Sequence, residues 1–570
     1  LNAADAGRCP SEATTGAVAC LLIVASLAIV AGRISVVVSP EGDTAFLSAN
    51  DRSRWASVAS LVDHGTYEID RLLEIRDRTG RRRPWQSIDR VQHTGRDGRM
   101  HDYSSKPPLL ATLVAAVYAP IRAITGMSLI DQPIYLTRIV LGLVNLPTLA
   151  ILLIATWWAL RPSPQTLPGQ VAGWGPLAAL AVVCFGTMLL PMSISLGNHL
   201  PGAAATAVAL AIYVSRPGIA GACFAGMAAA FAVTCELPAL IMLVFWAILF
   251  FLKDRRSTLI GFPAGVAVVL IAFFGTNWVA HASLLPPYLH RTDGRVIDQL
   301  ARTPQADDGT IDPQTTEAIA DLLRASGLVH PLHRESEPRL LSTESPDRWI
   351  VEYGDGDQRF ALVSRASGEA DPVGEVGEDG KVGEVGEDGK AADWWELRQW
   401  DHWYDYPGSY WTTPRKGVDR GETSKMTYAF HATLGHHGIF SLTPFWLLLP
   451  WGVWLRYRYD SFASDRLLLA AIVAATLICF AFYISRPLID RNYGGVSCCF
   501  RWLLWFTPLW FWLALPAAER LGRFSPGSWR GALLLGLVGL SIFSAATALD
   551  SPWRHPWIYR YFEFLGWLGG

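Results

Sequence analysis

The sequence predicts an all-α polytopic membrane protein, with about eleven membrane-crossing helices, one juxtamembrane helix and a small mixed α/β insert on the outer side. Three observations carry this reading. Apolar runs recur along the 570 residues, and roughly 17–25 such residues suffice to cross a bilayer. Charged residues make up only 17% of the chain against 51% hydrophobic. The short loops also alternate between Lys/Arg-rich and Lys/Arg-free, which sorts them to opposite sides of a membrane. A net charge of −2 gives no basic signal for nucleic acid.

The first apolar run is Ala17–Val38. It exceeds the roughly 7–15 residues of a signal-peptide core and lacks a small-residue cleavage site, so it reads as a retained span. The sequence begins at Leu1, which leaves the true start residue open. A polar loop, Pro40 to Leu109, follows. Within it Trp55, Val58, Ala59 and Val62 recur at helical spacing. Gly65 then offers a helix stop. The charge run Arg76 to Arg83 reads as a solvated turn.

Lys106–Gly126 is apolar but short, opens on two prolines and carries Pro120 and Arg122. Clearer runs are Ile134–Leu160, Gly173–Leu190, Leu200–Val214, Ile219–Thr234, Leu237–Leu252, Leu259–Ala280, Ile439–Leu455, Leu467–Ser485, Trp502–Leu515 and Ala532–Ala548. Suppose the N-terminus is cytoplasmic and Lys106–Gly126 does not cross. Arg161, Arg216, Lys253 to Arg256, Arg456 to Arg466 and Arg520 to Arg530 then all lie inside. The loops Ser193–His199 and Cys235-Glu236 lie outside without Lys or Arg. A crossing at Lys106–Gly126 would invert this bias, so the segment is expected to be interfacial or re-entrant.

The chain thus divides into an N-terminal region and first span (1–38), a first extracytoplasmic loop with juxtamembrane helices (39–133), a transmembrane bundle (134–280), an extracytoplasmic insert (281–438) and C-terminal spans (439–570). The insert holds a tandem copy, Val373–Lys381 and Val382–Lys390, too short for a solenoid and rich in Gly and acids, as a flexible linker is. Trp349 to Gly356 followed by Arg359 to Val363 reads as a hairpin. The aromatic cluster Trp394 to Trp411 suits packing, a membrane interface or stacking on a sugar. The eight cysteines sit mostly in apolar runs and form no zinc or CxxC spacing; Cys498-Cys499 reads as ordinary packing.

Candidate chemistry gathers on the outer side. Asp51 opens a helix, where a carboxylate is ordinarily stabilised by the helix N-terminus. Lys106 stands before two prolines that restrict its backbone, and its plain reading is a lysine reaching out at a helix start. Together they suit a sugar joined to a lipid phosphate. That donor already has a good leaving group, so the site needs a base for the acceptor hydroxyl and cations for the phosphate. Asp51 can be the base. Lys106, Arg54, Arg491 and Arg501 can be the cations. Asn198, His199, Glu236 and Tyr493 would line the substrate pocket, Glu236 because an ionisable group at membrane depth faces a cavity or a partner. No metal-ligand spacing is present. His436 and His437 are the weak candidates for a divalent metal, and no cofactor is certain.

Asp51, Arg54, Trp55 and Ala56, a turn near Gly65, and then Lys106-Pro107-Pro108-Leu109 resemble the first outer loop of GT-C glycosyltransferases. They are most similar to the protein O-mannosyltransferase and aminoarabinose-transferase group, whose pattern is roughly Asp-Glu-x-Arg-Tyr-Ala and then Lys-Pro-Pro-Leu. The resemblance implies a GT-C-like fold with juxtamembrane helices, a polyprenyl-phosphate sugar donor and a catalytic Asp in this loop. It also implies an acceptor hydroxyl on a protein, lipid or glycan, inversion at the anomeric carbon, and contact with membrane lipids. The implied place is a bacterial inner (plasma) membrane with the site extracytoplasmic. There are departures: Arg52 replaces the second acid, Trp55 replaces the Tyr, and Asn198 or His199 stands where a later acid is usual. These put an acid-bound metal in doubt. Two rival readings remain open, a transporter or flippase of lipid-linked anions and a non-catalytic glycan-binding membrane protein.

Overall fold

The computed structural model describes residues 12–77, 79–160, 173–215, 218–301, 311, 313–343, 345, 347–365, 394–460 and 462–568. The tandem copy, Arg161 and Arg216 lie outside the described residues. The first half contains α1 (Glu12–Ile34), α2 (Ala49–Asp63), a hairpin of β1 (Arg90–Thr94) and β2 (Met100–Ser104), and α3 (Pro108–Thr125). It continues with α4 (Pro133–Leu160), α5 (Gly175–Phe185), α6 (His199–Val214), α7 (Ile219–Cys235), α8 (Leu240–Lys253) and α9 (Arg255–His281). The insert supplies β3 (Val296–Ala301), α10 (Pro313–Ser326), β4 (Arg339–Ser342), β5 (Arg348–Tyr353), β6 (Gln358–Arg365) and β7 (Trp394–Gln399). The chain ends with α11 (Leu449–Tyr459), α12 (Ala463–Ser485), α13 (Thr507–Leu521) and α14 (Trp529–Ala546), apart from short turns of helix.

Among the described residues six helices are long and apolar enough to cross a membrane: α1, α3, α4, α9, α12 and α14. They mark an integral membrane protein. Apart from α3, these are expected spans; the remaining expected spans are helices too, but shorter or interrupted, and the reason is local. Prolines open 3₁₀ turns at Leu237–Ala239 and Pro444–Leu448, and α5 stops before Gly186. The eleven expected spans therefore correspond to apolar segments, of which five, α1, α4, α9, α12 and α14, qualify by length; the sixth qualifying helix, α3, is the segment expected to be juxtamembrane.

The helix α3 is unbroken and by length could cross. Its ends nevertheless attach to one end of the bundle. At its start, Lys106 joins the hairpin; at its finish, Arg122 Nε donates to Asp63 at the close of α2, 2.8 Å away. The next helix begins at that same end, where Arg138 Nε donates to Val37 O at 2.8 Å, just past α1. Arg33 joins there to Leu549 O, and Trp553 to Ser195. The opposite end is held by Trp158 Nε1 on Ser215 Oγ (2.7 Å), Tyr213 on Ser464 O, and Trp174 N on Gly522 O.

Helices α7 and α9 pack backbone to backbone. A Cβ on Gly261 would meet Ile219 O at 2.3 Å and one on Gly226 would meet Phe262 O at 2.2 Å. Small residues permit such closeness between helices in lipid, where apolar burial alone gives no drive to associate.

The insert folds as a five-stranded antiparallel sheet in the order β3-β7-β6-β5-β4. The hairpin read from the sequence is β5–β6, with Ile350 opposite Ala361. Ile319 and Leu323 of α10 close one face against Val351, Tyr353, Phe360 and Leu362. The aromatic cluster is mainly packing: Trp395, Trp403, Tyr404 and Tyr406 are buried. A stack of rings joins the insert to the first loop. His290 lies on Trp403 at 3.5 Å, Trp403 on His93 at 4.1 Å, and His93 on Tyr103 at 4.1 Å. His93 Nε2 also meets His281 Nδ1 at 3.0 Å, where α9 ends.

Burial pulls the His93 imidazole from its ordinary 6.5 down to about 3, with His290 and His101 adding repulsion. The folded state therefore refuses a proton that the unfolded chain accepts. The stability this contributes is present above about pH 6.5 and is lost as pH falls from there toward 3. Limited proteolysis of the insert should become faster over that window in the wild type. A His93→Phe protein should show a flatter pH dependence, since an unprotonatable ring keeps the stack.

Candidate functional site

Ser48 caps α2 by accepting from Asp51 N at 3.1 Å, which fixes the first turn. The Asp51 carboxylate then faces inward and is fully buried. One oxygen accepts from Leu47 N at 3.0 Å and the other from Leu196 N at 3.1 Å. Burial pushes this carboxyl up to about 6, against the pull of those two amides and of Arg54. Asp51 thereby pins the start of α2 to the segment that leads into α6.

Arg54 lies on the same face, also buried. Its Nη2 donates to Asn198 Oδ1 at 2.9 Å, and its Nη1 bonds Asn50 Oδ1. Asn198 Nδ2 donates in turn to Glu236 Oε1 at 2.8 Å and to Cys235 O at 2.9 Å. Glu236 Oε1 also meets His199 Nδ1 at 2.5 Å, and His199 Nε2 meets Arg501 Nη1 at 2.9 Å. An arginine can only donate, so His199 accepts at Nε2 and carries its proton on Nδ1, toward Glu236. The result is a continuous buried chain, Arg54–Asn198–Glu236–His199–Arg501, made from four separate stretches of sequence.

Arg501 is held from the other side as well. Its Nε donates to Gly494 O at 3.0 Å, and its guanidinium lies 4.4 Å from the centre of the Trp502 ring and 5.2 Å from that of Trp553. Gly494 has φ of 96°, and a Cβ there would lie 2.0 Å from Arg501 Nε. Only glycine fits.

Lys106 completes the set of cations. Its Nζ lies 3.1 Å from Asp89 Oδ1. Asp89 belongs to the hairpin. β1 and β2 pair Arg90 with Ser104, so Asp89 and Ser105 are the next positions along, and Ser105 N donates to Asp89 O at 3.1 Å. Ser53 of α2 locks the same carbonyl at 2.5 Å and touches Ser104 Oγ at 2.6 Å. Burial lowers the Lys106 ammonium, with Asp89 opposing and Arg54 and Arg501 adding to the fall. Arg54 likewise feels Asp89, Arg501 and Asp51, which places the three cations and these acids in one electrostatic neighbourhood.

Of the residues chosen from sequence, the structure thus brings Arg54, Lys106, Asn198, His199, Glu236 and Arg501 together. Asp51 is joined to them through Arg54 and Leu196 rather than by contact with Lys106. Arg491 is elsewhere: it is spent on the backbone oxygens of Arg486, Glu422 and Thr423. Tyr493 donates to Glu422 at 2.8 Å and stacks on His437 at 4.2 Å, a packing role. His436 and His437 meet Nδ1 to Nδ1 at 2.5 Å, within a cluster of rings in which His431 stacks on His436 while Tyr493 and Tyr559 meet it edge-on. Among the described residues the group whose ligand atoms converge, within 4.8 Å, is Glu68, Asp70 and His101 on the first loop, not the histidine pair. Sequence reasoning missed Asp89, which carries no motif. The available signal was the Gly95-Arg96-Asp97-Gly98 turn, which marks a hairpin that folds Asp89 back beside Lys106.

Beside this polar cluster a cavity of about 920 Å³ runs between α3, α4, α6, α7 and α9. Leu109, Leu196 and Gly197 line it near the cluster; Trp158 and Ser215 line it near the far end of α6. The 16 residues of α6 span roughly 24 Å at 1.5 Å per residue. Apart from Asn145, Thr148, Ser215 and the indole of Trp158, the lining offers no polar side chain, and none is ionisable.

No protein-family model and no curated protein matches the chain. Among solved structures, one that it is similar to is the S. cerevisiae protein O-mannosyltransferase Pmt1-Pmt2 complex bound to the sugar donor. The TM-score is 0.43 at 10% sequence identity, over 97% of this chain and 92% of that chain. A likeness of that size carries no functional weight, so the site stands on its own geometry.

Gly494→Ala tests that geometry. A positive φ costs about 1–2 kcal/mol for a residue with a Cβ, and the displaced Arg501 would lose Gly494 O. The thermal midpoint of the purified protein should fall by several degrees, whereas Gly495→Ala, whose Cβ would approach only Asp419 Oδ1 at 3.7 Å, should lose less.

Proposed function

We propose that this protein transfers a sugar from a polyprenyl-phosphate donor to an acceptor hydroxyl at the extracytoplasmic face of a membrane. The observation that carries the reading is the junction of two unlike environments. Arg54 and Arg501, both buried, and Lys106, whose side chain is 20% exposed, stand beyond the Leu109 and Leu196-Gly197 end of a long apolar cavity with no ionisable lining. A ligand that satisfies both has a compact anionic head and an extended hydrocarbon chain, as a lipid phosphate does. The cations suit a leaving phosphate: held in a dry site by fixed partners, they stabilise charge that develops on the bridging oxygen.

The transfer is a single displacement. The acceptor oxygen forms a bond to the anomeric carbon while the bond from that carbon to the phosphate oxygen breaks, with its electron pair passing to phosphate and the configuration inverting. The acceptor proton passes to a carboxylate. Asp51 is the base that the sequence suggests, and its elevation to about 6 suits a group poised near neutral pH. Asp89, already paired with Lys106, is the second carboxylate in reach of the cations. The apolar lining of the cavity argues against a transporter, since a charged head would find no polar path along it.

The test is transfer of label from a panel of polyprenyl-phosphate sugars in membrane fractions. Lys106→Ala and Arg501→Ala should each lose about 100-fold or more in rate, in line with removal of one preorganised donor to developing charge. If Asp51 is the base, the wild-type rate should fall as pH drops through about 6, because protonation removes the charged form. An absence of transfer from every donor, in protein shown to be folded, would end the reading.

A further inference from the structure

We infer that Asp89 is the resting counter-ion of Lys106, and that a donor phosphate binding to Lys106 releases Asp89 to accept the acceptor's proton. This rests on the transferase reading given above.

The two carboxylates differ in what they are free to do. Asp51 is completely buried and each of its oxygens holds a backbone amide, Leu47 N or Leu196 N. Turning it toward a substrate would leave both amides without a partner in the interior, at about 1–3 kcal/mol each. Asp89 is anchored through its main chain instead: Ser53 Oγ and Ser105 N both hold its carbonyl. Its side chain keeps 11% of its surface open, against 20% for its partner Lys106, and among the described residues Lys106 is the group that it pairs with. It can therefore change partner without disturbing the hairpin. Glu236, the other acid near the cations, is tied to both Asn198 and His199.

The charges make the exchange follow from binding. At rest, Asp89 is paired with the Lys106 ammonium 3.1 Å away. A phosphate reaching Arg54 and Arg501 competes for Lys106. When Lys106 turns to it, Asp89 loses a cation and gains an anionic neighbour, and both changes favour taking up a proton. The acceptor oxygen then bonds to the anomeric carbon, the carbon–phosphate oxygen bond breaks with its electron pair going to phosphate, and the proton goes to an Asp89 oxygen. Departure of the lipid phosphate lets Asp89 release that proton to water and recapture Lys106. Base activation would thus wait for the donor.

The experiment uses the full chain in nanodiscs, with polyprenyl phosphate lacking a sugar as the binding probe and the labelled donor panel for transfer. Asp89→Asn should bind polyprenyl phosphate at least as tightly as wild type, because Lys106 is no longer held, while transfer falls at least 100-fold. Asp89→Glu, which keeps the charge, should bind normally and recover part of the rate; it also serves if the Asn variant is poorly folded. An Asp89→Asn protein that transfers within threefold of wild type, or an Asp89→Glu protein that is folded and binds but has no transfer above the Asn variant, overturns the inference. Wild type that neither binds the probe nor transfers sinks the transferase reading itself. Wild type that transfers while Asp89→Asn does too removes only the role given to Asp89.

Discussion

The polar cluster between α2, the hairpin and the start of α6 is arranged around the difficulty of holding three cations away from water. Arg54 and Arg501 are buried and Lys106 nearly so. An unpaired charge in such a place is costly enough to undo a fold, and a paired one breaks even only when its remaining hydrogen-bonding capacity is met. The chain Arg54–Asn198–Glu236–His199–Arg501 meets it. Each member either donates or accepts in a direction that the next one fixes, down to the tautomer of His199. Three acids, Asp51, Asp89 and Glu236, lie among the three cations, and burial lowers both Arg54, to about 10, and Arg501.

That arrangement explains why the surrounding backbone looks as it does. Asp51 spends its carboxylate on two amides and so fixes α2 against the segment entering α6; Arg54, one turn on, is then aimed at Asn198. The hairpin β1–β2 does the same for Lys106 by setting Asp89 beside it, with Ser53 tying hairpin to helix. Gly494 lets the chain pass close enough to hold Arg501 Nε. Apart from Leu47 on Asp51 and Gly494 on Arg501, these contacts join residues far apart in sequence. The site is a product of tertiary packing, and α3, which leaves and rejoins the same end of the bundle, keeps the first loop next to it.

The separation of what could be read early from what could not follows from the range of the signals. Apolar runs are local, and so each expected span appears as helix, though proline and glycine shorten several. The sorting of Lys and Arg among short loops is a global signal, and it singled out Lys106–Gly126 as different from its neighbours; the structure ties both ends of α3 to one end of the bundle. Lys106, Asn198, His199, Glu236 and Arg501 were visible as polar groups at the ends of apolar runs, where few such groups occur, and Arg54 as part of the pattern that opens the amphipathic stretch of the first loop. Arg491 and Tyr493 met the same criterion and went elsewhere, because a loop arginine can satisfy itself on backbone carbonyls and a tyrosine on a stacked ring, and neither choice leaves a trace in the sequence. Asp89 lay in a polar loop among many acids. Its importance comes from strand register, which pairs Arg90 with Ser104, and register is set across a turn that composition alone does not single out.

The cavity and the cluster also constrain one another. An apolar channel about as long as α6 would fill with any lipid tail, so it cannot choose a ligand by itself; area buried is poor at discriminating chains that differ by a few methylenes, at about 0.8 kcal/mol each. The cations cannot choose either, since water-borne phosphates would satisfy them. Joined end to end, on the proposed reading, they would select for a molecule carrying both features, with the reacting bond at the junction. In the transferase proposed above, such a placement would put the scissile oxygen beside Lys106 and Arg501 whenever the tail is seated, so that one geometry would serve both recognition of the lipid and stabilisation of the departing charge.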